Sequence, residues 1–144
     1  MDKYSLFQQF IPFISSVHQF SHVMSKDVKT DDITPVQYKI MEYLAVSPPA
    51  LLSEISDCMN MSMPNTSREL KKLTEQQLVH KVVDTIDRRK YYIHLSEQGR
   101  AMMDEAFAQI YTQFEKRIEG VSDKELEEIE QALRTLQSKF FDSQ

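Results

Sequence analysis

The stretch Ser62-Met63-Pro64-Asn65-Thr66-Ser67-Arg68-Glu69-Leu70-Lys71-Lys72-Leu73 decides the fold. Ser62 is a good helix cap, Pro64 falls in a first turn, where a missing N–H is tolerated, and Leu70 and Leu73 share one face. This predicts a helix opening at Ser62 and ending near Gln76. Just before it, Leu52, Ile55, Cys58 and Met59 are expected to face inward from a short helix over about residues 52–59. Only Asn60-Met61 separates the two. Short helices joined so tightly form a helix-turn-helix, although the glycine usual in the turn is missing.

Downstream, V-H-K-V-V (79–83) and Y-Y-I-H-L (91–95) are β-rich and flank D-T-I-D-R-R-K (84–90), a polar loop with three consecutive cations. The expectation is a β-hairpin with a basic tip. Upstream, T-P-V-Q (34–37) combines a cap, a proline and a capping-box glutamine. It opens a helix with the stripe Val36, Ile40, Tyr43 and Leu44, ended by Ser47-Pro48-Pro49. Residues 4–24 repeat apolar side chains at helical spacing, from Leu6, Phe10 and Phe13 to Val17, Phe20 and Met24, flanked by Phe7, Ile11 and Ile14. Pro12 either kinks this helix or marks its first turn, and Ser25–Asp32 reads as a connector. At the other end, Ser96 caps a long helix containing Met103, Phe107, Ile110, Phe114 and Ile118, which Gly120 stops. Ser122 to Glu125 has the pattern of a second capping box, opening a helix with Leu126, Ile129, Leu133, Leu136 and Phe140 in register.

The 144 residues fit one domain, or one domain with appended helices. The net charge of −5 argues at first sight against a nucleic-acid partner, but the charge is segregated. Residues 1–61 sum to −3 and residues 101–144 to −5, whereas residues 62–100 carry eight basic and five acidic side chains, or +3. Two glycines cannot build a glycine-rich phosphate loop, and one cysteine allows neither an intrachain disulfide nor a multi-cysteine zinc site. His18 and His22 stand at i, i+4, a spacing that can share a metal, but no third ligand is evident. No catalytic, metal or cofactor site is expected. Without a signal sequence or a membrane-length apolar run, the chain reads as cytoplasmic.

The middle segment suits double-stranded DNA. About fourteen residues of helix span roughly 20 Å, a length that a B-DNA major groove accommodates. Its first turns offer Ser62, Asn65, Thr66, Ser67 and Arg68, hydrogen-bonding side chains free of acid, while Lys71 and Lys72 sit where phosphates would pass. An arginine on the hairpin tip suits a narrow, electronegative minor groove.

The run from Thr34 to about Arg100 resembles the multiple antibiotic resistance regulator (MarR) family of winged helix-turn-helix transcription factors. T-P-V-Q-Y-K-I-M, S-M-P-N-T-S-R-E-L-K-K-L, D-T-I-D-R-R-K and L-S-E-Q-G-R carry the resemblance, and the last two at this spacing are the specific part. It implies a mainly α fold with a small β-hairpin wing: an N-terminal dimerisation helix (1–30), a winged helix-turn-helix DNA-binding domain (31–96) and C-terminal dimerisation helices (97–144). It further implies a homodimeric regulator, a repressor, on a pseudo-palindromic operator. Ser62, Pro64, Asn65, Ser67 and Arg68 become the expected groove contacts. Arg89, beside Arg88 and Lys90, becomes the expected minor-groove residue, with Asp87 orienting the wing arginine. Two positions depart from the family pattern: Gln77 replaces a glycine before the first wing strand, and Thr85 replaces a frequent proline.

A small aromatic or apolar effector is expected in a cleft between the dimerisation helices and the winged domain, mainly on the strength of the resemblance. Cys58 is expected to be buried and inert. The alternative to a DNA-binding regulator is a winged-helix module that binds protein.

Overall fold

Thr34 and Gln37 make the reciprocal capping box their spacing suggests: Gln37 N–H donates to Thr34 Oγ1 (3.2 Å) and Thr34 N–H to Gln37 Oε1 (3.1 Å). In the computed structural model, residues 1–28, 32–47 and 49–142 are described. Residues 29–31 of the expected connector, and Pro48 of the expected helix stop, lie outside the described residues. The elements in chain order are α1 (Lys3–Ser25), α2 (Pro35–Val46), β1 (Ala50–Leu51), α3 (Leu52–Met59), α4 (Met63–Glu75), β2 (Val79–Val83), β3 (Tyr91–Leu95), α5 (Glu97–Arg117) and α6 (Asp123–Leu136). A π-helical turn, Gln137–Phe141, follows α6. The chain divides into two compact units, Met1–Ile110 and Tyr111–Gln144.

In the first unit, Ile40, Met41 and Leu44 of α2, Ile55 of α3, Leu70 and Leu73 of α4, Ile93 of β3 and Met103 of α5 form the buried core. Ile40 and Leu44 of α2, at i, i+4, and Leu70 and Leu73 of α4, at i, i+3, have the spacing of one helical face. The sheet has the order β1-β3-β2 and is antiparallel throughout. The hairpin spans the expected residues, with Val79 opposite Leu95 and Val83 opposite Tyr91. The third strand, β1, was not foreseen. Its two residues pair Ala50 with Ile93 and Leu51 with Tyr92, and so short a segment carries no readable alternation.

Asp2 caps α1, which runs through Pro12 as part of a continuous helix. The proline therefore sits in the helix interior, where it removes one backbone donor. No residue of α1 is buried, and Phe7, Ile11, Phe13, Ile14 and Val17 are all exposed.

Cys58 departs from expectation: it is exposed. The inner face of α3 is set by Leu52, Ile55, Ser56 and Met59, which places Cys58 about 100° or more around the helix. Ser56 takes the inward place because its hydroxyl is satisfied, donating to the Leu52 carbonyl at 2.9 Å, with Met63 Sδ at 3.3 Å.

In the second unit, Gly120 (φ +83°) follows the end of α5, and the Ser122 hydroxyl accepts the Glu125 N–H to start α6. None of α6 is buried, and Ile129 and Leu133 are exposed. Among the described residues, no helix is long and apolar enough to cross a membrane.

Candidate nucleic-acid interface

The turn between α3 and α4 works without glycine because Asn60 adopts the left-handed conformation (φ 53°). Asparagine tolerates that region better than most residues. Its N–H donates to the Asp57 carbonyl and the Met61 N–H to the Ser56 carbonyl, closing α3 with a Schellman-type cap. Ser62 then restarts the helix, its hydroxyl accepting the Asn65 N–H at 3.2 Å.

On α4, Thr66, Leu70 and Leu73 are buried and fix the inward face. At 100° per residue, Pro64, Arg68 and Lys71 point nearly opposite that face, with Asn65, Ser67 and Lys72 on its flanks. All six are exposed, as is Ser62. Thr66 is a correction to the expected contact set. It is fully buried, and its hydroxyl donates to the Ser62 carbonyl at 2.9 Å, so it cannot reach a groove. The one acid near these cations, Glu69, is turned aside, accepting from the buried Gln37 Nε2 at 2.9 Å. Lys72 Nζ lies 3.7 Å from the other Glu69 oxygen, which ties part of its charge to the helix.

The far end of α4 explains the two other recognisable motifs. Gln77 stands where a glycine was expected and takes the left-handed conformation itself (φ 62°). The Gln77 N–H donates to the Thr74 carbonyl, and the Leu78 N–H to the Leu73 carbonyl, while the side chains of Leu73 and Leu78 are both buried. Leu95-Ser96-Glu97-Gln98-Gly99-Arg100 then locks the hairpin's base. The Ser96 hydroxyl donates to the Gln77 carbonyl (2.6 Å) and accepts the Gly99 N–H (2.9 Å). Arg100 reaches the Ala45 carbonyl at 3.1 Å, near the end of α2. This motif holds the base of the wing in place.

At the wing tip, Asp84 Oδ1 accepts the Ile86 N–H (2.9 Å) and Asp87 Oδ1 accepts the Arg89 N–H (3.1 Å). The Arg89 guanidinium also closes on Asp87, with Nε 3.2 Å from Oδ1 and a terminal nitrogen 3.4 Å from Oδ2. The Arg89 side chain first, then the Arg89 N–H, hold the Asp87 carboxyl below its ordinary value. The arginine nevertheless remains 91% exposed. Arg88 and Lys90 are exposed beside it. Sequence reasoning passed over Ile86, which is 94% exposed on the same tip. An isoleucine alone in a polar loop was the signal.

A cleft of about 390 Å³ lies between the end of α1 and α2, lined by His22, Lys26, Val28, Ile33, Tyr38 and Glu42 among others. The Tyr38 hydroxyl is buried there, with the Glu42 side chain as its charged neighbour. Burial first, then the charge of Glu42 and a hydrogen bond to its side chain, push this phenol up to about 12.

Comparison with known proteins agrees with this geometry. The sequence pattern of the MarR family matches residues 31–90, from before α2 to the wing tip. An uncharacterised HTH-type transcriptional regulator of Bacillus subtilis, YsmB, is 27% identical over 105 residues, covering 73% of this chain and 72% of that protein. The solved MarR family protein from Bacillus stearothermophilus superposes with a TM-score of 0.74 at 20% identity over 96% of each chain. FabT of Streptococcus pneumoniae, solved in complex with DNA, gives 0.61 at 19% identity, covering 99% of this chain and all of that one. Residues 31–90 are thus similar to the MarR family, and the chain has the fold of solved MarR family proteins.

Proposed function

We propose that this protein is a sequence-specific, DNA-binding transcriptional regulator, a repressor acting as a homodimer on a pseudo-palindromic operator. One observation supports it above the others. The outward face of α4 and the wing tip bring exposed cations, Arg68, Lys71, Arg88, Arg89 and Lys90, to the one segment of an acidic chain with a net positive charge. In this reading α4 enters the major groove with Ser62, Pro64, Asn65, Ser67 and Arg68 leading, and Lys71 and Lys72 approach phosphates. Arg89, steadied by Asp87, enters the minor groove, with Ile86 against the sugar edges. That the structurally similar FabT was solved with DNA is in keeping with this reading.

Residues 31–96 serve as the DNA-binding domain, and the helices of residues 1–30 and 97–144 as dimerisation elements. The exposed apolar row of α1 supports that role, since a surface so rich in Phe and Ile favours a covering partner. Two-fold symmetry then spaces the recognition helices about 34–36 Å apart, one turn of DNA. A small aromatic or apolar effector occupies the Tyr38 cleft, its polar atom meeting the buried hydroxyl, and splays that spacing to release the operator in the cytoplasm.

The test is a gel shift on the DNA upstream of the protein's own gene, repeated at rising salt. Affinity falls steeply with salt as phosphate contacts release counterions. Arg89→Ala weakens binding strongly and leaves the dimer intact. Unchanged affinity in that variant rejects the wing assignment, and the absence of any specific shift rejects the regulator.

A further inference from the structure

We propose that the wing carries a binding site for a divalent late transition-metal ion, formed by His80 of β2 and His94 of β3. The two residues are direct cross-strand partners, so their side chains leave the sheet on the same face. Their rings lie with centroids 5.3 Å apart and planes within 13°. Two imidazoles bound to one ion through nitrogens at about 2.0–2.1 Å, at a tetrahedral angle, place their ring centroids about 5 Å apart. The pair already has that separation, and a turn about the soft terminal torsion of each ring directs one nitrogen from each at a common point.

No cationic strand residue shares the pair's face of the sheet. The strand residues sharing this face are Val82, Tyr92 and Leu51, none of them charged. Lys81 belongs to the opposite face, where its ammonium lies 4.6 Å from the centre of the Tyr91 ring. His80 is exposed and His94 half-buried, so an ion reaches the pair from solvent. Among the described residues no cluster of three or more His, Cys, Asp or Glu is present, so the ion keeps water or a small ligand in its remaining positions. Imidazole pairs of this kind prefer Cu²⁺, Ni²⁺ and Zn²⁺ over the hard cations. Because the ligands come from both strands, the bound ion ties β2 to β3 at the base of the hairpin, and the site stands whether or not the wing meets DNA.

The chain has four histidines, so a background of His18→Gln, His22→Gln and Cys58→Ser leaves only the wing pair and removes the exposed thiol. Cu²⁺ is titrated into this protein by calorimetry, and its nitrogen ligands are counted by electron paramagnetic resonance. The expected result is one ion per chain with two imidazole nitrogens. Outer-shell losses alone cost metal sites about 10–100-fold in affinity, so removing one of two direct ligands costs at least about tenfold. His80→Gln, at the exposed position, and His94→Gln, at the half-buried one, each give that loss, and added Cu²⁺ raises the melting temperature only when both histidines are present. Fewer than two imidazole nitrogens, or undiminished affinity in the His80→Gln protein, overturns the site.

Discussion

Gly99 and Leu78 approach so closely that a Cβ built on the glycine would stand 2.1 Å from the Leu78 carbonyl oxygen. The same carbonyl accepts the Ser96 N–H at 3.0 Å, so the start of α5 and the start of β2 are fitted backbone to backbone. No rotamer change can relieve an added methyl there. Gly99→Ala is expected to cost about 1–3 kcal/mol, the usual range for forced overpacking. Urea denaturation of the variant checks it, and an unchanged midpoint means that α5 shifts freely at its first turn.

Gln77 ends α4 in a conformation that suits glycine. A left-handed residue with a side chain costs about 1–2 kcal/mol, while glycine loses about 0.5–1 kcal/mol of unfolded-chain entropy. Gln77→Gly is therefore expected to raise stability by up to about 1 kcal/mol, and Gln77→Val, β-branched, to lower it. Thermal melts of the two variants should move in opposite directions.

Most of the fold was legible because its signals are local. Capping at Thr34, Ser62, Ser96 and Ser122 places four helix starts, and the β-rich runs 79–83 and 91–95 around a polar loop place the hairpin at its observed residues. What escaped depends on tertiary contact. β1 is too short to show a period, and Cys58 was turned outward when Ser56 found hydrogen bonds inside. On α4, an acid-free run of polar residues located the exposed face, but Thr66 could not be separated from Ser67 without the carbonyl that satisfies its hydroxyl. The departure at Gln77 was visible as a residue type, and its left-handed backbone gives the physical consequence.

Asp87 makes the reach of Arg89 a matter of charge as well as shape. Its carboxyl titrates below the ordinary range because Arg89 binds the ionised form. A depressed folded value means the contact is intact at neutral pH and is lost as pH falls through that lowered range. Asp87→Asn keeps an acceptor for the Arg89 N–H but removes the charge that holds the guanidinium. Operator affinity should fall several-fold with the circular dichroism spectrum unchanged. Equal affinity would mean that Arg89 needs no steadying.

Tyr38 gives a signature at the alkaline end. The ordinary phenol ionises near 10, whereas Tyr38 holds its proton to about 12 in the folded protein. Its contribution to stability is whole below about pH 10 and declines as pH rises toward 12, because the unfolded chain ionises first. In a tyrosinate absorbance titration of the six tyrosines, the last step should disappear in Tyr38→Phe.

Thr66 and Arg68, two residues apart on α4, separate folding from recognition. Thr66→Ala loses a buried hydrogen bond worth about 0.5–1.5 kcal/mol and should lower the melting temperature while leaving operator affinity at saturating fold unchanged. Arg68→Ala should leave the melting temperature alone, since the side chain is exposed opposite the core. If Arg68 reads a base, its loss costs about 1–3 kcal/mol against the correct operator and relaxes preference at one position. If it holds a phosphate, affinity falls for all sequences and the logarithmic salt slope drops by about 0.9. Measuring both variants on operator and random duplexes, across a salt series, assigns each residue its role. A Thr66→Ala protein that folds normally but loses the operator would return that hydroxyl to the groove.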